Sequence, residues 1–185
     1  MTRIFSVLAS INALALVLSY AVGVISKLGD SVRHPENPAF LIHFNLGLFT
    51  AIGTLLVHCL IFTYFLGTGR WVKEVGIAYD LPDEPLPKRT RELKRRTFPP
   101  ALFAMLITIA AAAAGAGAQL KAWPWPVHAS LGTIALAINL WAFRIEYRNV
   151  SINATVIEQV MAEVERIRAE HGLSGNADAL QGEGL

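Results

Sequence analysis

Four stretches of this chain contain no Asp, Glu, Lys or Arg: residues 4–26, 37–69, 97–120 and 122–143. The shortest holds 22 residues, and a helix of about 20 residues crosses the roughly 30 Å hydrocarbon core of a bilayer. The runs are continuously apolar, without the alternation of a lipid-facing barrel strand. They predict four transmembrane helices, at about 4–26, 39–67, 98–119 and 126–144. The expected fold class is all-α, an integral membrane four-helix bundle over 1–147 whose first partner is the lipid bilayer. Only 16% of residues are charged, against about 25% in an ordinary soluble domain. The first run follows Met-Thr-Arg and is 23 residues long. A secretory apolar region spans only about 7–15 residues, so a retained span is expected.

Lys and Arg fix an expected orientation. The N-terminus has one, segment 70–96 has eight and the C-terminal region after residue 143 has four, whereas the other two loops share three. Thirteen against three is a positive-inside bias. It places both termini and a loop 70–96 in the cytoplasm, in a multi-pass protein of the inner (cytoplasmic) membrane. Loops 27–38 and 119–127 then face outward. Within 70–96, GIAYDLPDEPLPK carries three prolines and reads as extended or irregular. The basic RTRELKRR suits topology and anionic headgroups rather than nucleic acid. Span two is the longest run, and Gly67 and Gly69 are expected to end it. Asn12, the strongly polar group of span one, is expected to bond to a neighbouring helix. The lone Cys59 has no partner for an intrachain disulfide.

Beyond span four, VSINATVIEQVMAEVERIRAEHG repeats Val156, Val160, Val164 and Ile167 at helical spacing among charges. This predicts a cytoplasmic amphipathic C-terminal helix over 148–172, stopped by Gly172. Its apolar stripe needs cover. The membrane surface, segment 70–96, or another protein or second copy docking on 151–171 would supply it. The tail 173–185 reads as disordered.

Two motifs carry the functional signal. HFNLG at 43–47 and HASLG at 128–132 both place a histidine, then Leu-Gly, near the start of an apolar run. The match is compatible with duplication of a two-span hairpin. Spans two and four run in the same direction, so His43 and His128 lie at similar depth near the outer face. In an up-down bundle these spans are diagonal, with axes about 11–14 Å apart. That spacing is too wide for the imidazoles to meet directly and admits a haem between them. Gly47 and Gly132 lie one turn below each ring on the same face, leaving room for a macrocycle edge. The Ala-Gly end of span three, AAAAAGAGAQ, offers the same. Histidine ligation from two sides in a four-span bundle resembles, in general design, the membrane cytochromes b and the haem-bearing anchors of quinone-linked dehydrogenases. The resemblance covers the two His-Gly sites and the span count. It implies one b-type haem on His43 and His128, carrying electrons in a membrane redox assembly. It departs from two-haem designs because His58 in span two is matched by Phe143 in span four. His58 reads as a bonded core residue.

No P-loop, HExxH or GxSxG is present, so no self-contained catalytic motif is expected. The four runs also hold no Asp, Glu, Lys or Arg that could couple ion transport. The alternative to a haem carrier is a non-catalytic membrane subunit or assembly protein with no cofactor.

Overall fold

A computed structural model describes residues 1–28 and 38–173. It consists of four helices: α1 (Thr2–Leu28), α2 (Pro38–Ala78), α3 (Leu86–Gln119) and α4 (Trp125–Glu170). No strand occurs among the described residues. Each helix is long and apolar enough to cross a membrane, which is compatible with a multi-pass membrane protein.

The helices pack around a square. α1 lies against α2 and α4, α3 lies against α2 and α4, and α2 and α4 sit on the diagonal. Heptad spacing sets the inward faces. α1 buries Phe5, Asn12, Ser19 and Ser26, while α4 buries Asn139, Glu146, Asn153 and Val160. A seven-residue repeat is the pattern of helices that cross at shallow angles. The outward faces are greasy: Ile4, Ile11 and Leu18 on α1, Phe49 and Leu56 on α2, and Phe103 and Trp141 on α3 and α4 are all exposed. The interior mixes polar and apolar residues, and the outer faces are apolar.

One end of the bundle carries His43, His128 and the turn 120–124, and is called the histidine end here. The other carries Met1, the turn 79–85 and Glu170, and is called the terminal end. The core cluster at the terminal half joins Phe5 and Ala9 to Val57, Ile61, Tyr64, Phe65, Leu93, Phe143 and Val150.

The connections differ from expectation. Segment 70–96 is not a loop, because α2 runs on to Ala78 and α3 begins at Leu86. Gly67 and Gly69 do not end α2. A glycine costs a helix only about 1 kcal/mol, and the packing of Val72, 1% exposed, together with the approach of Gly69 to Thr90, outweighs it. RTRELKRR is the first part of α3, which also continues through Pro99 and Pro100.

The C-terminal amphipathic stretch is likewise no separate helix but the continuation of α4. Its stripe is covered inside the chain, with Val156, Val160 and Val164 at 4% exposure or less. Arg168 of α4 reaches the Tyr79 hydroxyl beyond α2. α4 stops at Gly172, whose φ is +67°. There Gly172 N–H bonds to the Ala169 carbonyl and Leu173 N–H to that of Arg168, the double closure a left-handed glycine makes possible. Loop residues 29–37 and tail residues 174–185 lie outside the described residues. α2, α3 and α4 therefore project past the start of α1 as a three-helix extension. Tyr64 borders Met1 and Phe5, so α2 continues for 14 residues beyond that level, about 21 Å at 1.5 Å per residue.

Candidate functional site

His43 and His128 are brought together from the diagonal helices, five and three residues from the starts of α2 and α4. Their ring centroids are 6.0 Å apart, with the planes tilted by 59°. The side chains thus span most of the gap between axes that sequence reasoning estimated as too wide for contact. Each ring is held by the neighbouring helix of its own hairpin. His43 Nδ1 lies 3.0 Å from the Ser19 carbonyl, and His128 Nδ1 lies 3.0 Å from the Ala111 carbonyl. A carbonyl can only accept, so both Nδ1 atoms donate and Nε2 is the ring nitrogen left for another partner. Neither Nε2 has a partner among the described residues.

Two glycines make this possible. A Cβ at Gly23 would lie 2.7 Å from His43 Cε1, and one at Gly115 would lie 2.9 Å from His128 Cε1. Each follows by four residues the carbonyl that anchors the same ring: Ser19 then Gly23, Ala111 then Gly115. Sequence reasoning flagged the Ala-Gly end of span three but missed Gly23. Its signal was the small-xxx-small pattern, which permits close helix approach. Gly47 and Gly132, one turn below the histidines, touch neither ring. A Cβ at Gly132 would meet nothing within 4 Å, and one at Gly47 only Ser19 Oγ at 3.4 Å.

The two anchored rings are one instance of a wider pattern. Adding 85 to a position in α2 gives its counterpart in α4, and counterparts meet across the bundle. His43 faces His128, His58 stacks on Phe143 at 5.1 Å, and Thr68 accepts a hydrogen bond from Asn153 at 3.1 Å. A constant offset is what two helices running in the same direction give. Ser19 and Gly23 hold the same places against His43 as Ala111 and Gly115 hold against His128, which is compatible with a duplicated hairpin.

A second polar cluster lies deeper. His58 is fully buried, with Nδ1 2.7 Å from Glu146 Oε1 and Nε2 3.0 Å from Asn139 Oδ1. Asn139 in turn donates to Thr108 and to the Ala135 carbonyl. With both nitrogens engaged and Phe143 on its face, His58 has no free ligand atom. Glu146 lies three residues past the charge-free run 122–143 and is nonetheless 0% exposed. The reason is helical phase. Arg144 ends the charge-free run and is exposed, whereas Glu146, 200° further round at 100° per residue, points inward on the 139–146–153 row.

Asn12 crosses from α1 to α2, donating to the Thr50 carbonyl and accepting from the Thr54 hydroxyl. No group of three or more His, Cys, Asp or Glu positioned for a metal ion occurs among the described residues. No protein family, curated protein or solved structure matches the chain.

Proposed function

We propose that the chain is a multi-pass membrane protein, both termini cytoplasmic, that holds one b-type haem between His43 and His128 near the outer face. It would pass electrons as one member of a membrane redox assembly. The histidine pair carries this reading. His43 and His128, their ring centroids 6.0 Å apart, would each offer Nε2 to the iron. Metal-ligating histidines donate the other ring N–H to a carbonyl or carboxylate, the role played by Ser19 and Ala111. The open space at Gly132 suits a macrocycle edge. Haem, when bound, supplies one-electron exchange. The chain's residues supply two neutral nitrogens at fixed tilt, an apolar surround and a position close to one membrane surface.

Orientation rests on the thirteen Lys and Arg at the terminal end and beyond it, against three elsewhere. In that orientation the three-helix extension is cytoplasmic, with the basic start of α3 at the headgroups. His43→Ala and His128→Ala are each expected to abolish haem retention while the protein still inserts, as measured by haem-to-protein ratio after detergent purification. Unchanged haem content in both variants would remove the ligand assignment. The second reading, a cofactor-free subunit docking a cytoplasmic protein, is favoured by the extension itself, whose exposed face carries the Arg166 pairs with Glu163 and Glu170. It predicts that charge reversal at Arg166 releases a co-purifying protein while both histidine variants behave as wild type.

A further inference from the structure

His58 and Glu146 are the only fully buried residues among those described that bear an acid or imidazole, and their arrangement constrains where protons sit. The derivation starts at Asn139. Its Nδ2 donates to the Ala135 carbonyl, 2.7 Å, and to Thr108 Oγ1, 2.9 Å. A carbonyl cannot donate, so this amide orientation is fixed and Oδ1 faces His58 Nε2. His58 therefore carries a proton on Nε2. Its Nδ1 then either accepts from a protonated Glu146 or, as imidazolium, donates to a carboxylate. In both cases one proton lies on the 2.7 Å bond between Nδ1 and Oε1, and the pair is neutral overall.

The other oxygen decides between the two. Glu146 Oε2 is buried without a hydrogen-bond partner. A carboxylate so placed would leave a charged oxygen unsolvated, whereas a carboxylic acid leaves only a carbonyl. Among the described residues no cation other than His58 itself faces the pair. The charge-free runs of α1 and α3 face the pair, Arg144 and Arg148 of α4 are exposed, and the remaining buried titratable neighbour is the phenol Tyr64.

The surroundings are one-sided. Towards the histidine end, Asn139 has both N–H groups committed. Towards the terminal end, polar groups continue along α4. Asn149 donates to Thr97, and Asn153 donates to the Tyr64 and Thr68 hydroxyls. Asn153 Oδ1 is a second buried acceptor without a donor. It lies seven residues beyond Glu146, about 10 Å along the axis. Two unpartnered acceptors in one polar row are what bridging waters satisfy.

We propose that Glu146 is a neutral carboxylic acid sharing its proton with His58, and that the pair is a proton-binding site exchanging with water from the terminal end only. In the internal step one proton moves from Oε1 to Nδ1, with no heavy-atom bond broken. Exchange needs a half-turn of the carboxyl: the protonated oxygen swings from Nδ1 to the water side, gives its proton to water and takes one back, and the reverse half-turn restores the bond to Nδ1. This assignment does not depend on the haem reading.

Infrared spectroscopy of the purified full-length protein tests it. A protonated-carboxyl C=O band that shifts on labelling with 13C-glutamate and is lost in Glu146→Gln belongs to Glu146. The expected result is such a band, absent in Glu146→Gln and shifted in deuterated buffer. Glutamine mimics the neutral acid and should keep the fold, and the labelled wild type needs no variant at all. Asn153→Leu or Thr68→Val should slow the deuterium shift several-fold, and Thr108→Val on the opposite side should not. No protonated band in the labelled wild type overturns the neutral-acid assignment. A band that stays unshifted after a day in deuterated buffer makes the pair a sealed structural contact and overturns the site.

Discussion

Single atoms decide the histidine end. Gly23 and Gly115 lie so near the imidazoles that one added methyl on either would displace a ring from its carbonyl. Overpacking of this kind costs about 1–3 kcal/mol, so Gly23→Ala and Gly115→Ala should lower thermal stability in detergent even without any cofactor. Gly132→Ala is the informative contrast. Nothing lies within 4 Å of its added Cβ, so stability of the cofactor-free protein should be unchanged. If the space is kept for a macrocycle, haem retention should nevertheless fall. Retention equal to wild type would mean that Gly132 lines no cofactor site. His43, His128 and their depth were legible in the sequence because a repeated motif marked them. Gly23 was not, because a lone glycine in an apolar helix gives no sign of which side chain it faces until the neighbouring helix is placed. Glu146 was missed for a related reason: counting charges along the chain ignores the 100° turn per residue that hides one charge and exposes the next.

At the scale of the element, α4 unites what composition divides. Its apolar half and its charged half read as a span and a separate amphipathic helix, yet nothing at residues 144–150 breaks the backbone, and the inward row 139, 146, 153, 160 crosses the boundary without a phase change. α2 behaves likewise through Gly67 and Gly69. Composition reports the surroundings of a helix, and only the hydrogen-bonded ladder reports its length. The covered stripe yields a prediction. Val160 is 1% exposed, so Val160→Ala should destabilise by about 2 kcal/mol through lost burial and the cavity left behind, seen as a lower melting midpoint. An unchanged midpoint would indicate that the extension is not packed in solution. The polar crossing of Asn12 onto Gly53 gives a second handle. A Cβ at Gly53 would lie 2.7 Å from Asn12 Nδ2, so Gly53→Ala should loosen α1 from α2 and speed proteolysis of the α1 segment in detergent.

For the whole molecule, α2 and α4 run in the same direction and meet at a constant offset, and the features at the histidine end come in pairs while the deeper site does not. Position 58 is histidine and its counterpart 143 is phenylalanine, so the same offset that pairs imidazoles at one level stacks a bonded imidazole on a ring at another. The number of long apolar helices and their up-down order were legible because four apolar runs joined by short segments admit little else. Which faces meet was not, since it depends on close packing between helices that share one composition. Topology is checked by single cysteines in a Cys59→Ala background. A cysteine at Asp83 should react with a membrane-impermeant maleimide only after the membrane is opened, and one at Lys121 should react in intact cells or spheroplasts. The reverse pattern would invert the bundle and place the histidine pair at the cytoplasmic face. The central claim is tested most directly by a dithionite-reduced minus oxidised absorption spectrum of the purified wild-type protein, produced with haem supplied. The account predicts a sharp b-type α-band corresponding to one haem per chain. A flat spectrum from folded, haem-supplied protein would contradict it and leave His43 and His128 as packing residues.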